Sequence, residues 1–370
     1  MTHRVVQWGS GAVGLHALRF VIDHPELELV GLKCFTEAKV GVDAGEIAGR
    51  VPTGVRATTS TDELLDLDPD CIVYMPRDSL FDPTLPDSPS RAWLDEIQPL
   101  LASGANIVSS IASGMHWRQL ADGEGMRAAL DKACAQGSSS VFFTGIDPGF
   151  VSDCLAITMS SLLGDVTQIR TWEMIDYGTY PVAEPLIDIG FGCRPEDLPQ
   201  TGAASLRASW GCAPHLMADA LGLVLDDLVL DMDVWLSPTT YTGANGLLVA
   251  EGTIGALRWS LAGVVDGERR VVVNHINRIG ADAAPDWPRI GTDGGYRIEI
   301  DGLPPFVGEF PLGLPGGTGA SLGDAVVMTA GRCVNSIDAV VRATPGYLTL
   351  NDLPTFGARY GMRWSPPHAH

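Results

Sequence analysis

Two sets of residues in this 370-residue chain have the types and spacing for chemistry. The first is Gly9-Ser10-Gly11-Ala12-Val13-Gly14, a GxGxxG turn between the β-branched run RVVQW (4–8) and a segment with apolar residues at Leu15, Leu18, Val21 and Ile22. In such a turn the first glycine permits the bend, the second lets backbone approach a pyrophosphate, and the third lets helix and strand pack closely. The helix that follows offers free N–H groups and the positive end of its dipole to phosphates. The second set is able to move a proton: Glu173 and Tyr177 in TWEMIDYG, His215 at a helix start, and His275 with Asn277 on one face of a strand. A bound dinucleotide carries the hydride, so the protein must add one proton donor or acceptor for the substrate heteroatom. Each residue of the second set also has a plainer role: an outward-facing strand acid, a core tyrosine, a helix cap and a hydrogen-bonded strand histidine.

An NAD-binding turn places an acid about 20 residues beyond its glycines, where it binds the ribose 2′-hydroxyl. Here that place reads Lys33-Cys34-Phe35-Thr36, with no carboxylate before Glu37. Lys33, Thr36 and Lys39 suit a 2′-phosphate, so NADP is the expected cofactor and NAD the alternative. LPGGTGAS (314–321) is a second glycine-rich turn opening a helix, fit either to bind a substrate oxygen or to act as a hinge. No His/Cys/Asp/Glu spacing matches a zinc or iron site, so no metal is expected.

These residues need a scaffold, and the first half supplies one by alternation. The strand-like runs LELVGLKCF (27–35), CIVYMP (71–76), ANIVSSIA (105–112) and SSVFFTG (139–145) alternate with helical segments. That pattern predicts a Rossmann-type doubly wound parallel sheet, with ligands beyond the carboxyl ends of its strands. From about 151 to 319 the runs QIRTWEMIDYG, LLVAEGTIGALRWSLAGVV, RRVVVNHINRIG and YRIEIDG, with the helical APHLMADALGLVL, predict an α+β substrate or dimerisation domain on an open mixed sheet. Residues 1–150 form the dinucleotide-binding domain, completed by C-terminal helices in about 320–370. The proline- and glycine-rich stretch 178–202 reads as a loop able to close over the cleft.

Composition narrows the partners. A formal charge of −21 without any Lys/Arg cluster excludes nucleic acid and anionic membrane surfaces. Lysine occurs only as Lys33, Lys39 and Lys132, which leaves little room for Schiff-base chemistry. Seven scattered cysteines without a CxxC pair, and no signal-like or membrane-spanning run, point to a cytoplasmic protein. A free sheet edge makes a homodimer the expected assembly. The tail SPPHAH, with His368 and His370, reads as a frayed end.

GSGAVG, GVDAGEIAG (41–49) and GIDPGFVSD (145–153) together resemble the dihydrodipicolinate reductase-like superfamily. SWGCAPHLMADALG (209–222) and LPGGTGASLGDAVVMTAGRCVNSIDAVVRATPGYLTLNDLP (314–354) are similar to the 2,4-diaminopentanoate dehydrogenases and related NAD(P)H-dependent amine dehydrogenases. The resemblance implies that Gly9, Gly11, Val13 and Gly14 hold the pyrophosphate. It implies further that Met75, Pro76 and Ser110 flank the cofactor and that Asp147, Pro148 and Asn335 stand near the nicotinamide. Amine dehydrogenases of this group carry a substrate-handling glutamate just after strand 105–112, where this chain has Ala112-Ser113-Gly114-Met115. A buried Glu173 of raised pKa is the expected substitute. The paired-histidine motif of true dihydrodipicolinate reductases is missing, and NHINR (274–278) does not replace it. The expected activity is hydride transfer to or from a C=N or C=O carbon of a small carbonyl, imine or amine metabolite. The alternatives are a reductase without amination and a non-catalytic NADP-binding sensor or assembly protein.

Overall fold

The computed structural model describes residues 2–76, 91–111, 113–117, 125–180, 183–198, 200–318 and 320–359. Its first part runs β1 (His3–Trp8), α1 (Ala12–Asp23), β2 (Leu27–Lys33), α2 (Ala44–Ala48), β3 (Ala57–Thr58), α3 (Thr61–Leu65), β4 (Cys71–Tyr74), α4 (Arg91–Ala102), β5 (Asn106–Ser109), α5 (Met126–Gly137) and β6 (Ser140–Phe143). Strands β4 and β6 are buried along their whole length, as expected of strands covered on both faces. Near the C-terminus, α10 (Ser321–Arg342) and β15 (Gly346–Leu348) return to this part. All seven strands are parallel, in the order β15-β6-β5-β4-β1-β2-β3. Strand order reverses between β1 and β4, which opens a crevice at the carboxyl end of the sheet.

Helix α10 is 22 residues long and amphipathic, and its Ala330, Cys333, Val334, Ile337 and Val340 pack against Val5, Val73, Val108 and Phe142. On the opposite face, Leu100 and Leu101 of α4 and Leu130 of α5 bury Val6, Ile72, Ile107 and Val141.

The second part begins with a π-helical turn, Val151–Leu155, leading into α6 (Ala156–Ser160). It continues through β7 (Gly164–Asp176), α7 (Glu184–Asp188), α8 (Gln200–Trp210), α9 (Cys212–Ala220), β8 (Asp227–Leu236), β9 (Tyr241–Thr242), β10 (Leu248–Val249), β11 (Ile254–Val265), β12 (Glu268–Arg278), β13 (Gly294–Leu303) and β14 (Phe306–Pro311). Its main sheet is mixed, β14-β13-β7-β12-β11-β8, with only β7 and β12 parallel. Alternation turns Ile169, Thr171, Glu173 and Ile175 of β7 to the face covered by the helices, and leaves Arg170 and Trp172 on the other. Register then sets Tyr296 beside Glu173, Glu173 beside His275, and His275 beside Trp259, one row across four strands.

Both sheets match the expected fold class, while several elements escape the sequence reading. Strand β8 shows clean alternation at Leu228, Leu230, Met232 and Val234, but follows the helical run too closely for its start to show. The apolar stretch 247–265 is cut by a turn at 250–253 into β10 and β11. The described residues of 178–202 include α7 and the start of α8, so that stretch is more than a loop. The tail with His368 and His370 lies outside the described residues. Among the described residues no helix is long and apolar enough to cross a membrane, and all seven cysteines are free thiols.

The glycine turn is set by close approach. A Cβ on Gly14 would lie 2.5 Å from the Gly9 carbonyl oxygen, and one on Gly9, at φ +93°, would lie 2.4 Å from the Met75 carbonyl oxygen. Backbone cannot yield to a methyl group as a flexible side chain does. Gly14→Val is therefore expected to lose about 1–3 kcal/mol of stability, measured as a lower urea midpoint at unchanged slope.

Candidate active site

The bend between β1 and α1 is tight at two glycines and open at the third. Gly9 N–H donates to the Lys33 carbonyl at 3.0 Å, and Gln7 Nε2 donates to the Gly9 carbonyl at 2.8 Å, so strand ends and neighbouring side chain hold the turn. Around Gly11 a Cβ would meet nothing within 4 Å. Gly11 and Ala12 are exposed and Ser10 and Val13 half-buried. No side chain caps α1, and its first turn holds no acid. A helix start left uncapped and unblocked is what a pyrophosphate requires, so these residues fit a dinucleotide. Met75, Pro76 and Ser110 directly follow the carboxyl ends of β4 and β5 along the same sheet edge.

The turn at 314–321 is different. Asp324 accepts from the N–H groups of Gly313 (2.9 Å) and Thr318 (2.7 Å), and Asp293 accepts from Ser321 N–H (2.7 Å). The start of α10 is filled by the protein's own carboxylates, which corrects the expectation that it offers N–H groups to a substrate oxygen.

The three residues expected at the ribose diverge. Lys33 is buried, with Nζ 2.5 Å from the Thr59 carbonyl and 3.0 Å from Thr61 Oγ1, and 5.0 Å from the centre of the Trp8 ring. Lys39 is half-buried and places Nζ 3.0 Å from the Ser10 carbonyl and 2.9 Å from Ser10 Oγ. Thr36 is exposed and precedes the 3₁₀ turn Glu37–Lys39.

The row on the second sheet meets the loop after β6, and there charge collects. His275, 1% exposed, has Nδ1 3.2 Å from Glu173 Oε1 and Nε2 3.2 Å from Asp147 Oδ2. Both are charge contacts, neither ring nitrogen having a hydrogen-bond partner in good geometry, with one carboxylate on each side of the ring. Trp259 stacks on the imidazole at 4.1 Å and Trp210 meets it edge-on at 4.9 Å. Glu173 Oε1 accepts from Tyr177 Oη (2.6 Å) and Asn277 Nδ2 (2.9 Å), and its Oε2 accepts from Tyr296 Oη (3.3 Å). Ser152 Oγ donates to Asp147.

Burial works against the charge on His275, but Glu173 and Asp147 outweigh it and lift its pKa to about 9. Burial pushes the Glu173 carboxyl up, whereas His275 and the Tyr177 and Asn277 donors hold it below the usual range. This corrects the expectation of a raised Glu173: the acid that stores a proton here is the imidazolium, and Glu173 is its counter-ion. One ligand atom each from Asp147, Glu173 and His275 also lies within 4.8 Å of the others, a grouping that sequence spacing does not reveal. The two ring nitrogens point to different carboxylates, so the arrangement is an ion triad rather than three ligands converging on one point.

The remaining candidates make other contacts. His215 lies in the first turn of α9 without capping it and stacks on Trp117 at 3.7 Å, whose Nε1 donates to Asp219 at 2.6 Å. Pro148 is buried next to Asp147. Asn335 lines a cavity of about 970 Å³ with Asp338, Arg342 and Phe356, and stands six residues, about 9 Å of helix axis, beyond Thr329, whose Oγ1 accepts from the Ile146 N–H.

Three residues of this region were passed over in the sequence. Tyr296 shows its inward side in the alternation of YRIEIDG. Asp153, whose carboxyl accepts from the Gly149 and Cys154 N–H groups and is raised by burial to about 6, is quoted in GIDPGFVSD without a role. His116 gives no signal: it is buried, its ring nitrogens have no hydrogen-bond partner among the described residues, and burial with Arg332 nearby keeps it neutral, with a pKa of about 3.

Residues 150–363 match the family model described as the 2,4-diaminopentanoate dehydrogenase C-terminal domain. Over 355 residues, 94% of this chain and 95% of the relative, the sequence is 33% identical to an amine dehydrogenase of Streptomyces virginiae. It is 26% identical over 275 residues, 72% of each chain, to a 2,4-diaminopentanoate dehydrogenase of Acetoanaerobium sticklandii. The fold overlays on an amine dehydrogenase from Mycobacterium smegmatis with a TM-score of 0.71 at 18% identity, covering 96% of this chain and 97% of that one. It overlays on a myo-inositol dehydrogenase from Corynebacterium glutamicum with a TM-score of 0.53 at 15% identity, covering 94% and 90%. The chain thus belongs to the 2,4-diaminopentanoate dehydrogenase family and is an oxidoreductase.

Proposed function

We propose that this protein is a nicotinamide-dependent amine dehydrogenase, interconverting a small ketone or aldehyde plus ammonia with the corresponding amine. The observation that carries the reading is the buried Asp147–His275–Glu173 triad, built from the last loop of the first sheet and two strands of the second, at the carboxyl edge where the open Gly11 turn also lies. The relatives named as amine dehydrogenase and 2,4-diaminopentanoate dehydrogenase support the substrate class.

Gly9 to Gly14 would hold the pyrophosphate, with Met75, Pro76 and Ser110 along the adjoining strand ends. When bound there, the nicotinamide supplies or accepts the hydride. His275 keeps a proton within the site, and Asp147 and Glu173 orient its ring and keep it charged. Tyr177, which donates to Glu173, packs its ring beside Tyr180 and the buried Phe191. Amination consumes a proton and releases water, so a retained acid serves that direction, and the same group accepts the proton in reverse.

The missing glutamate after β5 favours a second reading, a carbonyl or imine reductase without amination. Ser113, Gly114 and Met115 hold no carboxylate, and Ala112 lies outside the described residues. NADPH and NADH oxidation with a panel of small ketones, with and without ammonia, separates the two. Ammonia-dependent turnover is expected, ammonia-independent turnover establishes the reductase, and tight nucleotide binding without any turnover establishes a sensor.

Gly11→Val is expected to weaken both nucleotides by about ten-fold or more, or at least ~1.4 kcal/mol, while leaving the urea midpoint near that of the parent, unlike Gly14→Val. His275→Gln is expected to lower kcat by about 10²–10⁴-fold with little change in nucleotide affinity. The same variant tests the charge. A histidine raised from 6.5 to about 9 stabilises the fold fully below its ordinary pKa and loses that contribution as pH climbs through 9. Glu173, held low, contributes above its ordinary pKa and loses this only in acid. The stability gap between parent and His275→Gln should therefore be widest near pH 6, about 3–5 kcal/mol for a charge stripped of its buried partner, and narrow by pH 9.5. Urea titrations at the two pH values measure it.

A further inference from the structure

We propose that His116 holds the nitrogen nucleophile of the amination: one of its ring nitrogens accepts an N–H from neutral ammonia, or from the amine in reverse, beside the loop that carries Asp147. The inference rests on the amine dehydrogenase reading above and adds the residue that receives the nitrogen.

The 3₁₀ turn Ser113–His116 follows the carboxyl end of β5 and is held from both parts of the molecule. Tyr347 Oη donates to the Met115 carbonyl, while Trp117, the next residue after the turn, stacks on His215 of α9 and donates to Asp219. The turn thus stands where the edge of the parallel sheet faces the second part. The His116 ring rests against Gly149, two residues beyond Asp147. A Cβ on Gly149 would lie 3.0 Å from His116 Cε1, so the glycine leaves the ring its place.

His116 is 4% exposed, and neither Nδ1 nor Nε2 has a hydrogen-bond partner among the described residues. A polar group stripped of water and left unpaired destabilises a fold, and native chains retain one where a ligand or a water completes it. Arg332 acts on the ring from nearby, its Nη2 3.5 Å from Cys154 Sγ and its Nε also without a partner among the described residues. That guanidinium opposes a second cation. The ring stays neutral, with one nitrogen free to accept, and ammonium is disfavoured against ammonia. Ammonia carries the lone pair that adds to a carbonyl carbon, and ammonium has none. Its size, close to that of water, suits a nearly sealed place. Residues 112–117 contain no carboxylate, so the acceptor offered here is uncharged. Two buried histidines therefore stand in opposite settings: carboxylates hold a proton on His275, and a guanidinium keeps one off His116. Such a separation assigns an acid and an acceptor within one site. No covalent bond changes at His116, which holds the nitrogen before it attacks.

The test is steady-state amination by the folded enzyme, with ammonia and ketone varied in turn, in the parent, His116→Leu and His116→Gln. His116→Leu fills the place with apolar atoms and removes the acceptor, so the urea midpoint should stay at the parent value or rise. Its kcat/KM for ammonia should fall by about 10- to 100-fold, the worth of a hydrogen bond to a buried group, with ketone KM and nucleotide affinity within about two-fold. His116→Gln keeps an acceptor and should lose less. If His116→Leu does not fold, a selective loss of about three-fold or more in the Gln variant carries the same conclusion. An unchanged kcat/KM for ammonia means a ring completed by water only and overturns the proposal. An equal fall in the ammonia, ketone and nucleotide parameters marks a packing residue and overturns it too. Both results leave the amine dehydrogenase reading in place. Turnover of the parent without ammonia, or no turnover at all, overturns that reading and the proposal together.

Discussion

A positively charged imidazole ring, sealed from water between two carboxylates and two indoles, is the interaction around which this molecule is arranged. A buried charge without partners is costly, and a buried triad is tolerable only when every member is hydrogen-bonded or paired. Here the partners come from separate parts of the chain. Asp147 arrives on the loop that leaves the parallel sheet, Glu173 and His275 on neighbouring strands of the mixed sheet, and Tyr177, Asn277 and Tyr296 complete the donor set around Glu173. Once the charge is in place, the loop after β6 cannot drift from the second sheet without exposing an unpaired acid. The triad thus serves structure and chemistry together: it joins the two sheets and leaves a proton where their edges meet.

The two glycine-rich turns show how similar sequences come to differ. Both precede helices of the first sheet, and both have the composition of an anion-binding bend. At 314–321 the anion is internal, because Asp293 and Asp324 take the N–H groups that a ligand would need. At 9–14 the first helical turn has no acid and no cap, and the space beside Gly11 is empty. Charge explains the contrast. A chain of net −21 has carboxylates to spare for capping, and a helix start left without one has a cation, Lys39, set beside it instead.

Much of the fold was legible because parallel strands buried on both faces read as short apolar runs, and because GxGxxG has one structural meaning between a strand and a helix. The site was legible as a list of residues but not as a constellation. Glu173, His275 and Asp147 lie in three segments, and only strand register brings them together. Register depends on pairing across the sheet, which no local pattern contains. The sign of the Glu173 shift is hidden in the sequence for the same reason: burial alone raises a carboxyl, and the imidazolium that reverses the effect lies 102 residues away. His116 could not be seen at all, since a lone histidine after a strand end has no periodicity to mark its burial.

The most direct test of this account is the ionisation of His275 in the intact protein, followed by ¹⁵N-edited NMR of the histidine rings between pH 5 and 10. The account predicts that both His275 nitrogens remain protonated through neutrality and release a proton only near pH 9. A ring that is already neutral at pH 7, titrating at or below the ordinary value of 6.5, would contradict it.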